Sequence, residues 1–235
     1  MASNGSITSD CVAHATLKAC TELVNRLEPV KSKMTEPTWE EVVKKAYEKG
    51  INLQANYMTS PLDNLQGYNV YGVCAAEVEL DVLTGTHIVS RVDILEDTGV
   101  SLSPDVDVGQ IEGAFIMGLG LWTSEELVYQ PTTGKLLTDR TWTYHPPGAK
   151  DIPVDFRVMF RANSTNTAGV LRSKATGEPA LTLAVGVTHA LHEAIMEARK
   201  EFGYTDTDRI HVDTPYSAEN ILKALSPKIE SYKLH

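Results

Sequence analysis

Two long segments of the chain carry apolar residues at three- and four-residue intervals. This spacing is typical of helices that bury one face and expose the other. After residue 10 the apolar positions are Ala13, Leu17, Cys20, Leu23, Val24 and Leu27, and after residue 179 they are Leu183, Val187, Leu191, Ala194, Ile195 and Ala198. We expect Pro29 to end the first of these helices. A shorter helix is predicted from Thr38 to near Gly50.

Between and after these helices, β-branched and aromatic residues predict strands. One strand is expected from Tyr68 to Leu83, and the turn at residues 84–85 leads into a second strand over 87–95. A hairpin is predicted over 125–144, with Pro-Thr-Thr-Gly as its turn, and a further strand over 155–160. Helices that alternate with antiparallel strand pairs are typical of an α+β fold. We therefore predict helices packed on twisted, mainly antiparallel sheets.

Another predicted helix, over residues 103–120, is rich in glycine. It opens with Ser-Pro and contains Gly109, Gly113, Gly118 and Gly120. Each glycine inside a helix costs about 1 kcal/mol relative to alanine, so this density requires an offsetting gain. The simplest is a close approach of the backbone to another helix or to a bulky ligand. Gln110 would be the polar side chain at that approach.

The sequence Ser-Lys-Ala-Thr-Gly-Glu-Pro-Ala at 173–180 places one carboxylate, Glu178, between a glycine and a proline. Gly177 has no Cβ, so it permits unusual dihedrals and the close approach of a ligand. Pro179 suits the first turn of a helix. One interpretation is that Glu178 only caps that helix, since an acid there gains about 0.3–1 kcal/mol from the helix dipole. The other is that Glu178 faces a ligand.

The start of the chain offers a similar choice. Gly5, Ser6, Ile7 and Thr8 precede the first predicted helix. Small hydroxyl residues at this place commonly cap the helix. Alternatively, the amides and hydroxyls of residues 5–8 bind a ligand that is anionic or rich in acceptors, at the positive end of the helix.

Composition excludes some classes of function. The chain has 235 residues, of which 42% are hydrophobic and 22% charged, with a net charge of −10. This is ordinary for a globular protein, and the negative charge argues against a nucleic-acid partner. No run approaches the roughly 20 apolar residues that span a bilayer, so no membrane role is expected. With three cysteines and no signal-peptide pattern, we expect a cytosolic protein.

Four stretches together resemble the molybdenum-binding region of the aldehyde oxidase and xanthine dehydrogenase family. They are Gly-Ser-Ile-Thr at 5–8, the block from Tyr-Gly-Val-Cys at 71–74 to Leu-Thr-Gly at 83–85, Gly-Gln-Ile-Glu-Gly-Ala-Phe at 109–115, and Ser-Lys-Ala-Thr-Gly-Glu-Pro at 173–179. The similarity covers nearly the whole chain. It implies that residues 1–235 form the C-terminal molybdopterin-binding lobe, the second molybdenum-binding lobe of the family.

The resemblance also implies roles for individual residues. Glu178 would be the general base that takes a proton from a hydroxyl ligand of molybdenum, as a base within hydrogen-bond reach can. Gly5, Ser6, Ile7 and Thr8 would hold the molybdopterin, and Gln110 would hydrogen-bond it. The metal would be held by the pterin dithiolene and by no protein ligand. One position departs from the family, which commonly has a second proline where this chain has Ala180.

Residues 142–153 and 155–158 look more like aldehyde oxidases, which favours an aldehyde as the substrate over an N-heterocycle. A xanthine dehydrogenase lobe is the alternative, and a non-catalytic remnant is another. FAD and [2Fe-2S] clusters are implied only for the N-terminal lobes that complete the family's enzymes, and the chain has no cysteine cluster for iron–sulfur. The resemblance implies a homodimer. We expect the isolated chain neither to retain molybdopterin tightly nor to oxidise aldehydes.

Overall fold

The computed structural model of the chain describes residues 5–63, 65, 67–205 and 210–226. It divides into two compact units. The first comprises Met1–Asn69 and Thr165–Lys174, and the second comprises Val70–Ser164 and Ala175–His235. The prediction of one lobe over 1–235 stays a prediction, and each unit is described by itself below.

The first unit is built on two helices, α1 (Ile7–Lys31) and α2 (Trp39–Glu48). Its core consists of Leu27 and Val30 from α1 and Val42 and Ala46 from α2, each no more than 3% exposed. The apolar stripe predicted for α1 is therefore buried only near its C-terminal end. Leu17 is 48% exposed, which the sequence pattern did not predict.

The ends of these helices follow from local chemistry. α2 begins as predicted, because Thr38 and Glu41 form a capping box in which each side chain accepts a hydrogen bond from the other residue's backbone N–H. The prediction that Pro29 ends α1 was wrong, since the helix continues to Lys31. Burial of Val30 in the core and a hydrogen bond from the Ser32 N–H to the Glu28 carbonyl hold the last turn together.

A polar cluster ties the short 3₁₀ turn Pro61–Asp63 to the middle of α1. One oxygen of Asp63 lies 3.3 Å from His14 Nε2 and also accepts a hydrogen bond from the Tyr57 hydroxyl. The other accepts from the Ser60 N–H at 2.7 Å. These donors stabilise the ionised carboxylate and lower the pKa of Asp63 to about 2.

The second unit contains a three-stranded sheet of β1 (Gly72–Leu80), β2 (His87–Glu96) and β3 (Asp155–Phe160). Strand β2 lies in the centre, antiparallel to β1 and parallel to β3. The α+β prediction is confirmed, with a mixed sheet in which only one of the two pairings is antiparallel. The predicted bounds of β3 match the structure.

The described residues of this unit also form four helices: α3 (Pro104–Thr123), α4 (Gly177–Leu183), α5 (Val185–Glu201) and α6 (Ala218–Leu225). Their apolar faces and the sheet share one core, whose most buried members include Val92, Ile94, Ile111, Phe115, Leu119, Val187, Leu191, Ile195, Ile221 and Leu225. The predicted stripe after residue 179 is confirmed at Val187, Leu191, Ile195 and Ala198. The single helix expected there is two helices, α4 and α5, which meet at Ala184.

The hairpin predicted over 125–144 forms only in part. The chain turns at 130–134, and a single antiparallel bridge joins Tyr129 to Leu136. Tyr129 and the neighbouring Leu127 are more than half exposed, so no buried face extends the ladder into strands.

Candidate functional site

Gln110 and the Gly177-Glu178 pair lie side by side in the second unit. A Cβ placed on Gly177 would lie 3.5 Å from Gln110 Oε1 and 4.0 Å from the Ala114 Cβ. Gln110 and Ala114 are one turn apart on α3, and Gly177 is the first residue of α4. The structure therefore brings together two of the three segments that the sequence singled out.

Close packing of α3 on α4 fixes this arrangement. A Cβ on Gly118 would collide with the Leu181 carbonyl oxygen and would lie 2.8 Å from the Ala184 Cβ. Residues 110, 114 and 118 form a row of i, i+4 positions on α3, and this row faces residues 177 and 181 of α4 and Ala184 between α4 and α5. The predicted close approach of another helix is confirmed at Gly118.

The other glycines of α3 differ in their surroundings. A Cβ on Gly120 would lie 2.6 Å from Pro147 Cδ, so a loop approaches the helix there. Gly109 and Gly113 have no heavy atom of the described chain within 4 Å of such a Cβ. Gly109 and Gly113 lie one turn apart on α3, so the helix surface beside Gln110 carries no side chain at these two positions. Whether a ligand approaches there stays a prediction.

Glu178 is the second residue of α4 and its side chain is exposed. The preceding residues Ala175 and Thr176 are buried and anchor the start of the helix. The sequence permits an unusual backbone conformation at Gly177, but the structure does not show one. Gly177 is not one of the glycines with a positive φ. A Cβ there would make only ordinary van der Waals contacts with Gln110 and Ala114, so the described residues do not require glycine at this position.

The tetrapeptide at residues 5–8 belongs to the first unit. Gly5 and Ser6 both have positive φ, 52° and 61°, and α1 follows immediately. Successive N–H groups in such a turn can form a concave anion-binding site at the positive end of a helix. The Ser6 side chain makes no capping hydrogen bond to α1. Ser6 therefore does not cap α1 through its side chain, and the binding of an anionic group by residues 5–8 stays a prediction.

The described residues provide no protein-based metal site: they contain no group of three or more His, Cys, Asp or Glu side chains that could hold a metal ion. Cys11, Cys20 and Cys74 are not in disulfides. Burial and the nearby Asp93 carboxylate raise the pKa of the Cys74 thiol to about 11. None of the described helices is both long and apolar enough to cross a bilayer.

Sequence reasoning missed one polar residue of this unit, Glu96 at the end of β2. Its side chain is fully buried. The signal was the period of two along the strand, since Val92, Ile94 and Glu96 share the face that packs on the helices. The predicted strand ended at residue 95, so Glu96 was not assigned to this buried face.

Comparison with known families gives the class of this protein, that of cofactor-binding domains. Residues 1–153 match the family described as "Molybdopterin cofactor-binding domain". The chain belongs to this family and, with it, to the aldehyde oxidases and xanthine dehydrogenases. The resemblance recognised in the motifs is confirmed.

Two curated relatives illustrate the similarity. Indole-3-acetaldehyde oxidase of Arabidopsis thaliana is 43% identical over 198 residues, which are 84% of this chain and 15% of that protein. Xanthine dehydrogenase/oxidase of Gallus gallus is 40% identical over 231 residues, 93% of this chain and 17% of that protein. The chain thus spans about one sixth of the length of these relatives.

Solved structures share the fold at lower identity. A Cu,Mo-CO dehydrogenase aligns with a TM-score of 0.67 and 16% identity over 92% of this chain and 28% of its own. Quinoline 2-oxidoreductase from Pseudomonas putida 86 aligns with a TM-score of 0.64 and 23% identity over 79% of this chain and 23% of its own. At these identities the similarity concerns the fold alone.

Proposed function

We propose that this chain is the C-terminal molybdopterin-binding lobe of a cytosolic enzyme that oxidises aldehydes, with Glu178 as its general base. The observation that supports this most directly is the position of the Gln110 amide beside Gly177, the residue before Glu178. The proposed reaction requires a group that holds the cofactor and a proton acceptor near it, and the backbone of α4 brings the residue before Glu178 next to Gln110.

The molybdenum cofactor, when bound, supplies the two-electron oxidation. The residues of this chain fit a ligand rich in anionic and acceptor atoms. Gly5 and Ser6 have positive φ values immediately before the N-terminal end of α1, which carries partial positive charge, and the Gln110 side chain offers both an amide donor and an acceptor. Residues 5–8 and Gln110 would hold and orient the cofactor.

Glu178 would accept one proton on a carboxylate oxygen during turnover. It lies in the first turn of α4, whose start is anchored by the buried residues Ala175 and Thr176. The backbone around it is held by the contact between α3 and α4 at Gly118. The lobe would act with the FAD and [2Fe-2S] lobes of the family, within a homodimer.

A second candidate, purine hydroxylation by a xanthine dehydrogenase, is supported by the 40% identity with the Gallus gallus enzyme over 93% of this chain. The identity with the aldehyde oxidases is similar, at 43%. Steady-state turnover of an aldehyde against that of a purine, in the enzyme that carries this lobe, decides between the two.

The proposed base is tested by Glu178→Gln in the enzyme that contains the remaining lobes. We expect unchanged molybdenum content and a turnover at least about 100-fold lower, because general-base catalysis contributes on the order of 10²–10⁴. Glu193→Gln, an exposed glutamate of α5, is the matched control and should keep full turnover. Equal turnover of Glu178→Gln and the unsubstituted enzyme would remove Glu178 from the mechanism.

A further inference from the structure

Glu96 is a fully buried carboxyl group in the second unit, at the last position of β2. Neither of its side-chain oxygens has a hydrogen-bond partner among the described residues. Its neighbours across the sheet are Gly72 on β1 and Phe160 on β3, which offer no polar side chain. A carboxylate without partners in such a place is costly, so the group is expected to bind a proton.

The next residue, Asp97, is also a buried carboxylate, but hydrogen-bond donors compensate its charge. It is 3% exposed, but its carboxylate accepts hydrogen bonds from the Ser164 hydroxyl and the Gly99 N–H. Arg161 Nη1 lies 3.4 Å from its second oxygen. Asp97 can thus remain ionised, and its charge then opposes ionisation of Glu96.

The third acid of this cluster belongs to α3. Asp107 precedes Ile111 and Phe115 at four-residue intervals, and both of these are fully buried, so Asp107 continues the sheet-facing side of the helix. Its carboxylate accepts a hydrogen bond from the Ser101 hydroxyl at 2.5 Å. Gln110 lies one turn further along the same helix.

We propose that Glu96 is a positioning residue whose bound proton holds the first turn of α3, and with it Gln110, in place. Loss of that proton puts a second negative charge beneath Asp107 and loosens the start of the helix. The link from Gln110 to the cofactor rests on the proposed function, whereas the effect on α3 does not.

The electrostatics support this geometry. Burial, together with the carboxylates of Asp107 and Asp97, raises the pKa of Glu96 to about 8. The charged groups that act on its carboxyl are Asp107 on α3 and Asp97, the residue that follows β2, and the Arg161 guanidinium after β3 is engaged with Asp97. No cation among them is directed to Glu96, since neither of its oxygens has a described partner.

Hydrogen–deuterium exchange of peptides covering 101–112 tests the inference on the full chain. After correction for intrinsic exchange, we expect the protection factor to fall by up to about tenfold per pH unit between pH 6 and 8 and to be constant above pH 8. This is the dependence expected if opening of the start of α3 releases one proton from Glu96. Glu96→Gln, which mimics the protonated acid, should show no such dependence. Glu79→Gln, an exposed residue of β1, is the matched control and should behave like the unsubstituted chain.

A second variant makes the test independent of one substitution. Asp107→Asn removes the charge that opposes ionisation of Glu96, so protection should level off at a lower pH. Flat exchange in the unsubstituted chain, or the same slope in Glu96→Gln, would overturn the inference.

A separate measurement distinguishes the inference from the proposed function. In the assembled enzyme, molybdopterin retained after dialysis at pH 6 and pH 8.5 should fall at the higher pH in the unsubstituted protein but not in Glu96→Gln. If exchange at α3 follows the expected curve while retention does not change, the role of Gln110 in the proposed function fails and the proton-controlled helix start stands.

Discussion

Two adjacent carboxyl groups, Glu96 and Asp97, are buried in this protein to nearly the same degree. Asp97 is surrounded by a hydroxyl, a backbone amide and a guanidinium group, and Glu96 is surrounded by carbon and two other acids. Asp97 follows the last residue of β2, where donors from Gly99, Arg161 and Ser164 reach it, whereas neither oxygen of Glu96 has a partner among the described residues. Burial alone therefore does not determine whether a carboxyl group is charged. Its hydrogen-bond and ionic partners determine it.

Replacing Glu96 should make the protein more stable at alkaline pH. The pKa of Glu96 is about 8 in the folded protein and is expected to be 4.5 in the unfolded chain, so this group costs no stability below pH 4.5. Stability is then lost by up to about 1.4 kcal/mol per pH unit as the pH rises to 8. Glu96→Leu should remove this loss. Denaturant unfolding at pH 6 and pH 8.5 checks it, and a variant that loses stability equally with pH contradicts it.

At the scale of elements, the contact between α3 and α4 determines where the proposed site lies. Gly118 permits the contact, and Gln110 and Gly177 meet two turns before it. The four glycines of α3 look alike in the sequence, but the structure gives them different roles. Gly118 and Gly120 are packed against other parts of the chain, whereas Gly109 and Gly113 are open.

Alanine at these positions should therefore have opposite effects on stability. Alanine gains about 1 kcal/mol over glycine in a helix interior, so Gly113→Ala should stabilise the chain by up to that amount. Gly118→Ala should destabilise it by about 1–3 kcal/mol, because its Cβ forces α3 and α4 apart. Thermal unfolding of the two variants checks the prediction. Equal effects at both positions would mean that the helices can separate without cost.

The elements best predicted from the sequence were those fixed by local signals. Strand β3 was predicted at its observed bounds, and Phe156, Val158 and Phe160 on one of its faces pack against the core. The division between α4 and α5 was not predictable from apolar spacing, which continues across it. There the Thr182 hydroxyl donates to the Pro179 carbonyl, and Ala184 packs against Gly118. The first is a local hydrogen bond and the second is a contact between residues distant in sequence, and apolar spacing encodes neither.

The candidate site was predictable to a similar extent. The motifs identified Gln110 and Glu178, and the structure placed Gln110 beside Gly177. The motifs did not identify Glu96, because a single acid in a strand has no signature of its own. Its importance depends on which face of β2 is buried and on Asp107, eleven residues further along the chain.

At the scale of the whole molecule, the two units have cores of very different size. The first unit buries Leu27, Val30, Val42 and Ala46, and the second buries residues from β2 and all four of its helices. Stability gained from apolar burial increases with the area removed from water. The first unit is therefore expected to be the less stable of the two.

A matched pair of leucine substitutions tests this difference. Leu27→Ala and Leu191→Ala each remove a side chain that is at most 2% exposed, at an expected cost of about 2–5 kcal/mol. Leu27→Ala should abolish hydrogen-exchange protection of α2 while that of α5 is kept, and Leu191→Ala should reduce protection of α5. Leu17→Ala, at a 48% exposed position of α1, is the control. Loss of protection in α5 on Leu27→Ala would contradict separate cores.

The uneven surroundings of the α3 glycines have a consequence for mutational libraries. If all four codons were randomised and the pool sorted only for soluble expression, position 118 should remain glycine, while positions 109 and 113 accept many residues. Sorting the same pool for enzymatic turnover should then enrich glycine at positions 109 and 113. That change between the two enrichment profiles would identify the bare side of the helix as the surface against which another group lies.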